Sequence, residues 1–331
     1  VKKLHPQLPL GLICRKGLGS TLQNLGIVDF FWEIEKSKKS SYKKVLADLQ
    51  SFDVNLLVSA HTSVRTTLFC AQIPAPKKIT FAKPWNHFIF NERIRWQEEY
   101  PESLRLLSLL NKHSAELKEL FTKLPVGLSF AQKKPDGRLP SPPLWADPNR
   151  GWKNQDVQDL LKKFDLENKK WIALFPGSVW ATKMWRKEGF QEVGNALQKR
   201  GYKIVVMGGP DEKDLGEEVS AAIPDSIDLC GKTSLLETIK LLSIAELIVG
   251  NDSASSHMAA LVGKPVVAVF GPTVLQFGYR PWSKNSAVVE IDGMTCRPCG
   301  PHGHKKCPLG HHNCMKQLSS KEVLRVIDGI L

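Results

Sequence analysis

The second half of the chain alternates short apolar runs with amphipathic stretches. Residues 171–177 (WIALFPG) form an apolar run closed by Pro-Gly. Residues 187–200 space their apolar positions as a helix does and stop at Gly201, and residues 202–209 (YKIVVMGG) are apolar again. The pattern continues through a polar helix near 212–222, a short strand at 227–230, a helix at 234–243, a run at 245–249, a helix ending at Val262 and a run at 266–270. Such alternation predicts a parallel sheet with helices on both faces, because right-handed crossovers leave few other arrangements. The first half repeats the theme less regularly: residues 8–17, 28–34 and 54–61 read as strands, with helices at 41–51 and 63–71.

Between the halves, residues 133–151 (KKPDGRLPSPPLWADPNRG) are dense in Pro and Gly and read as an interdomain linker. The expectation is an α/β protein of two Rossmann-like, doubly wound domains facing a cleft: residues 1–150, with the linker from about 133, and residues 151–331. Such sheets bind ligands at the carboxyl ends of their strands, where the strand order reverses. The opening VKKLHPQ resembles the tail of a helix, so the first domain is expected to lack its first strand and the chain to begin inside that domain.

Composition narrows the partners. At 331 residues and 42% hydrophobic content the chain is long enough for two cores. No run approaches the ~18 apolar residues of a membrane span, and no signal segment opens the chain, so a cytoplasmic protein is expected. The formal charge of +13 is unevenly shared. Residues 1–150 hold 23 Lys and Arg against 13 Asp and Glu, and the remainder 23 against 20. A basic first half suits an anionic partner, whether nucleic acid, anionic lipid or a phosphorylated substrate, and equally suits a solvated surface.

Candidate chemistry gathers at the predicted strand ends. In VGNDSASSHMAALVGKPVVAVFGPT, residues 249–273, an apolar run ends in Asn251-Asp252 and small residues open a helix. Free N–H groups and the helix dipole there favour an anion such as a diphosphate, and Ser253, Ala254 and Ser255 are small enough to let it approach. The alternative is that Asp252 or Ser253 only caps the helix. In FPGSVWATKMW, Gly177 and Ser178 form a turn and Lys183 precedes a helix, where an ammonium can neutralise phosphate; the alternative is a solvated surface lysine. GGPDE and CGKTSL add Glu212, Lys232, Thr233 and Ser234 at further strand ends.

These segments resemble the carboxyl-terminal domain of family 9 glycosyltransferases, the ADP-heptose:lipopolysaccharide heptosyltransferases, and AHTSVRTTLFC and ESLRLLSLL resemble that family's amino-terminal domain. The cysteine-bearing tail resembles the heptosyltransferase II type. The resemblance implies a GT-B fold and an inverting, metal-independent transfer of heptose from ADP-heptose to the inner core of lipopolysaccharide, a glycolipid acceptor. No catalytic cofactor is implied. It makes Lys183 a diphosphate contact and Glu212 a nucleoside contact, with Ser178 among the donor-binding residues and Thr233 near the adenine and ribose. Asp252, Ser253, Ala254 and His257 would surround the diphosphate and heptose, with Lys183 and Asp252 the catalytic pair. The family's general base is an Asp in a Gly-Asp turn after its first strand, and no residue of this chain matches that turn. The acceptor's chemistry also implies a peripheral position at the inner face of the bacterial inner membrane, with Lys77, Lys78 and Lys83, near Trp85, as acceptor-side or membrane-side candidates, although unpaired surface lysines are the favoured reading of these three.

Cys296, Cys299, Cys307 and Cys314 crowd into residues 296–314, followed by a C-terminal helix. Their CxxC start and trailing pair suit a structural zinc, with His302, His304, His311 and His312 as spare ligands, and the alternative is a cysteine-rich loop with no metal. Basic charge plus such a cluster raises a rival from another class, a zinc-containing nucleic-acid-binding protein, which the doubly wound pattern disfavours. A nucleotide-sugar epimerase of GT-B fold is the second alternative. The expected partners are a donor and a glycolipid acceptor at an anionic membrane surface, and no nucleic acid.

Overall fold

The computed structural model describes residues 6–124, 132–142 and 153–331. The chain divides into two compact units, Val1–Val126 and Gly127–Leu331.

In the first unit β1 (Gly11–Arg15) pairs in parallel with β2 (Phe30–Ile34), and β3 (Leu56–Ser59), β4 (Lys77–Phe81) and β5 (Glu92–Ile94) form a second parallel sheet in that order. The three predicted strands are present; β4 and β5 were not singled out by pattern because Lys77, Lys78, Glu92 and Arg93 interrupt their apolar positions. Instead of one continuous sheet there are two, and among the described residues no strand joins β1 to β3. Leu56 and Val58 on β3 are correspondingly exposed. The expected helix tail at the start of the chain lies mainly outside the described residues.

The second unit is one six-stranded, all-parallel sheet. Its strands are β6 (Trp171–Phe175), β7 (Lys203–Val206), β8 (Ile227–Asp228), β9 (Leu247–Asn251), β10 (Val266–Val269) and β11 (Ser286–Val289), in the order β11-β10-β9-β6-β7-β8. All residues of β6, β9, β10 and β11 are buried, as strands covered on both faces require. Helix Lys187–Gln198 buries Phe190, Val193 and Leu197 at helical spacing, and Gly194 lets it approach Ile223, since a Cβ there would lie 2.4 Å from that side chain. The expected C-terminal helix is Ser320–Asp328, opened by Ser319 and Glu322 in a reciprocal cap and packed through Val323, Val326 and Ile327.

The segment expected to be a linker is part of the second unit wherever it is described. Leu139 N–H donates to Ser286 O at 2.8 Å, Val288 N–H donates to Gly137 O at 2.9 Å, and Arg138 bridges antiparallel to Ala287. Leu139 is buried beside Phe270 and Val288, and Lys133 pairs with Glu290 at 3.3 Å. Gly137 has φ +83°, and a Cβ would stand 2.9 Å from Val288 O. The Pro- and Gly-rich composition thus serves a close edge pairing on β11, and the division between units falls earlier, at Val126. Residues 143–151 of the expected linker lie outside the described residues.

Candidate functional site

The strand order of the second unit reverses between β6 and β9, the position at which open parallel sheets accept ligands. Both strands end in the segments singled out from sequence. The chain leaves β6 through Pro176–Trp185 and leaves β9 at Asp252. Gly250 permits the close approach of β9 to β6, because a Cβ there would be 3.1 Å from Phe175 Cβ and 2.7 Å from Ser255 Oγ.

Across this reversal Lys183 Nζ meets Asp252 Oδ2 at 2.6 Å, and the side chains are only 10% and 6% exposed. Thr273 Oγ1–H, from the FGPT turn after β10, donates to the same Oδ2 at 2.7 Å. A buried charge pair offsets its desolvation only with good geometry and further hydrogen bonds, and Thr273 supplies one. Asn251, fully buried, fixes the turn that carries Lys183. Its amide donates to Pro176 O at 2.8 Å and Gly177 O at 3.2 Å, and its Oδ1 accepts Trp185 N–H at 2.9 Å. Pattern reading named the segments around Asn251 and Thr273 without assigning either residue a role; their buried hydrogen bonds are visible only once β6, β9 and β10 are side by side.

The capping alternative for this turn is not what forms. Helix Ala254–Leu261 begins at Ser253 with no side-chain cap, because the Asp252 carboxylate is turned to Lys183 and Thr273 and Ser253 Oγ bonds Ser255 Oγ at 3.0 Å. Ala254 is exposed at the helix start. His257, one turn on, also presents surface, yet its imidazole pKa is lowered, first by desolvation among the surrounding atoms and further by Lys183, against the opposing pull of Asp252.

Glu212 lies at the end of the neighbouring strand β7. Its Oε2 accepts Gly209 N–H at 2.7 Å, and its carboxylate occupies the space where a Cβ on Gly177 would fall, 1.8 Å from Oε1. Only glycine at 177 leaves room for that carboxylate beside the Lys183 turn. Ser178 Oγ accepts Trp180 N–H at 3.4 Å. Thr233 Oγ1 bonds Thr238 Oγ1 at 2.8 Å, and Ser234 caps helix Leu235–Leu242 through Glu237. The structure therefore brings Lys183 and Asp252 into contact and sets Glu212 against Gly177, while Ser178 and Thr233 make local contacts.

Lys77 and Lys78 have internal partners: Lys78 Nζ donates to the helix-end carbonyls of Cys70 at 2.9 Å and Ala71 at 3.2 Å, and Lys77 Nζ lies 3.2 Å from His113 Nδ1. Trp85 Nε1 donates to Thr62 O at 2.9 Å, leaving its ring partly exposed. The four thiols are near enough to act on one another: Cys299 is raised by burial and by Cys296 and Cys307, and Cys314 is pushed up to about 11, mainly by burial. Among the described residues, however, no group of three or more His, Cys, Asp or Glu side chains is set to hold a metal ion. Cys314 packs into the core with Met315, Cys299 Sγ turns to Cys296 O at 3.2 Å, and His304 and His312 donate to backbone carbonyls.

A profile of Glycosyltransferase family 9 (heptosyltransferase) matches residues 48–312. The chain is 30% identical over 169 residues to lipooligosaccharide heptosyltransferase 2 of Campylobacter jejuni, covering 49% of this chain and 51% of that protein. It is 27% identical over 202 residues to lipopolysaccharide heptosyltransferase 2 of Escherichia coli K12, covering 58% of this chain and 56% of that protein. The chain thus spans about half the length of the curated relatives it matches. The solved structure of E. coli ADP-heptose lps heptosyltransferase II superposes with a TM-score of 0.74 at 19% identity, covering 99% of this chain and 91% of that one. A family 9 glycosyl transferase from Veillonella parvula superposes with a TM-score of 0.77 at 18% identity, covering 99% and 90%. These likenesses establish an α/β fold of the GT-B type. With the family profile matched over most of its length, the chain belongs to glycosyltransferase family 9, the heptosyltransferases.

Proposed function

We propose that the protein transfers heptose from ADP-heptose to the inner core of lipopolysaccharide, with inversion and without a catalytic metal. The observation that carries this reading is the buried Lys183–Asp252 pair at the strand-order reversal, beside a helix start with no side-chain cap. In the proposed reaction a base takes the acceptor hydroxyl proton, the oxygen attacks the anomeric carbon, and the bond from that carbon to the diphosphate breaks on the opposite face. Lys183 and the N–H groups at Ala254 and Ser255 stabilise the charge that develops on the departing ADP. Preorganised donors of this kind do the work that Mg²⁺ does in other transferases. Asp252 holds the ammonium in place before the donor arrives and then accepts a heptose hydroxyl. Ser253 and His257 border the sugar and diphosphate, Ser178 sits on the Lys183 turn beside them, and Glu212 and Thr233 meet the nucleoside. The second unit is then the donor domain, and the basic first unit faces a phosphorylated glycolipid at the inner membrane surface. The described residues contain no helix long and apolar enough to cross a membrane.

Calorimetry with ADP, UDP and GDP tests the reading. ADP binds tightest, and neither its affinity nor turnover with ADP-heptose changes when EDTA is added. UDP preference, or binding lost on chelation, overturns it.

A further inference from the structure

Thr182 stands immediately before Lys183 and is 4% exposed. Every hydrogen-bonding group it has is taken by the cysteine-bearing loop, more than a hundred residues away in sequence. Its N–H donates to His304 O at 3.1 Å, its hydroxyl donates to the same carbonyl at 2.9 Å, and that hydroxyl accepts His304 N–H at 2.7 Å. Its carbonyl accepts His312 Nε2–H at 2.8 Å. Gly303 fits against the same turn: with φ +80°, a Cβ would stand 3.1 Å from Thr182 Oγ1 and 3.2 Å from Lys183 Cγ.

The other foot of the loop rests on the turn that serves Asp252. Cys299 N–H donates to Pro272 O at 3.0 Å, and Arg297 Nη2 donates to Thr273 O at 2.8 Å, while Thr273 Oγ1 holds Asp252 Oδ2. Arg297 is itself anchored by Glu290 in a buried ion pair. His304 Nε2–H closes the span by donating to Cys299 O at 2.8 Å. One loop therefore grips the backbone beside the ammonium and the backbone beside the hydroxyl that orients the carboxylate. The two histidines act as donors to carbonyls.

We propose that Thr182, His304 and His312 are positioning residues, through which the loop sets Lys183 in register with Asp252 for transfer. The proposal rests on the assignment of Lys183 to the diphosphate. An ammonium misplaced by about an ångström loses much of its worth at a reacting centre, where such errors cost up to about 10²-fold in rate.

The test uses the full chain, with turnover on ADP-heptose and ADP affinity as separate readouts. Thr182→Val keeps the shape and deletes the hydroxyl, and His312→Leu deletes the imidazole donor. Each is expected to lower turnover about tenfold, and Thr182→Ser and His312→Gln, which retain a donor, recover most of it. In a Lys183→Ala background, Thr182→Val and His312→Leu should change ADP affinity less than twofold, because the group they position is gone. His312→Leu serves alone if Thr182→Val does not fold. Lys183→Ala with turnover near wild type sinks the diphosphate assignment and the positioning role with it. If Lys183→Ala abolishes turnover while His312→Leu remains near wild type, the positioning role alone is overturned. Equal losses of ADP affinity in both backgrounds, or no recovery with Thr182→Ser and His312→Gln, also overturn it.

Discussion

Asn251 and Trp185 are joined by a hydrogen bond of 2.9 Å from the Trp185 backbone to the Asn251 amide oxygen, so the end of β9 fixes the exit of the turn that carries Lys183. The opposite side of the same amide holds Pro176 O and Gly177 O, which means that one side chain spans the turn from entry to exit. Replacing Asn251 by Ala strands these backbone groups in a fully buried place. Urea unfolding should show a loss of about 3 kcal/mol, from roughly 1 kcal/mol per hydrogen bond plus the unsatisfied groups.

Lys183→Ala and Asp252→Ala should separate binding from turnover. Each leaves a buried charge without its partner, at about 3 kcal/mol of stability. Lys183→Ala is expected to weaken ADP binding and turnover together, since in the proposed reaction the ammonium meets the diphosphate before and during its departure. Asp252→Ala should lower turnover at least tenfold more than ADP affinity, because a carboxylate repels a diphosphate and, in the proposed reaction, serves by holding Lys183 and the sugar. Calorimetry and steady-state kinetics on both variants check this. Comparable losses of affinity and turnover in Asp252→Ala would contradict it.

Thr273 donates to a charged oxygen from a fully buried position, a bond of the stronger class. Thr273→Val should cost about 2 kcal/mol of stability and lower turnover about tenfold, with Thr273→Ser close to the parent. Melting temperature and turnover measured on the same preparations decide it.

His257 gives the site a pH dependence with a definite sign. Its folded pKa lies below its ordinary 6.5, so in the window just under 6.5 the unfolded chain binds the proton more readily. The contribution of the neutral imidazole is present above that window and is lost as pH falls through it. Replacement by Gln should flatten the stability profile between pH 7 and the acid side, as measured by melting temperature in matched buffers. An unchanged slope would count against the assigned direction.

Asp252 was legible in the sequence because it follows a buried apolar strand directly, and Lys183 because it lies on the segment that leaves another, where chain direction places polar residues at the sheet's carboxyl edge. Their contact was not, since 69 residues separate them and nothing in either segment states that β6 and β9 are neighbours. The partners of Lys78 were not legible for a related reason: the helix whose carbonyls it bonds has first to be folded beside it. The cysteine spacing suggests a tetrahedral site, but spacing is silent about side-chain direction, so the burial of Cys314 and the backbone bonds of His304 and His312 were not legible in it. The linker was misplaced because Pro and Gly mark both loose connections and tight edge pairings.

The loop that reaches Thr182 also bears on how the protein is made. A chain leaves the ribosome from its amino end, so all six strands of the second unit emerge before residues 296–318. Until those residues arrive, the Lys183 turn lacks the partners of Thr182, and the Trp185 indole lacks the Leu318 carbonyl to which it donates at 3.1 Å. The sheet strands thus precede in the chain the loop that bonds both the Lys183 turn and the Thr273 turn, and in the proposed reaction the site is complete only once that loop is in place.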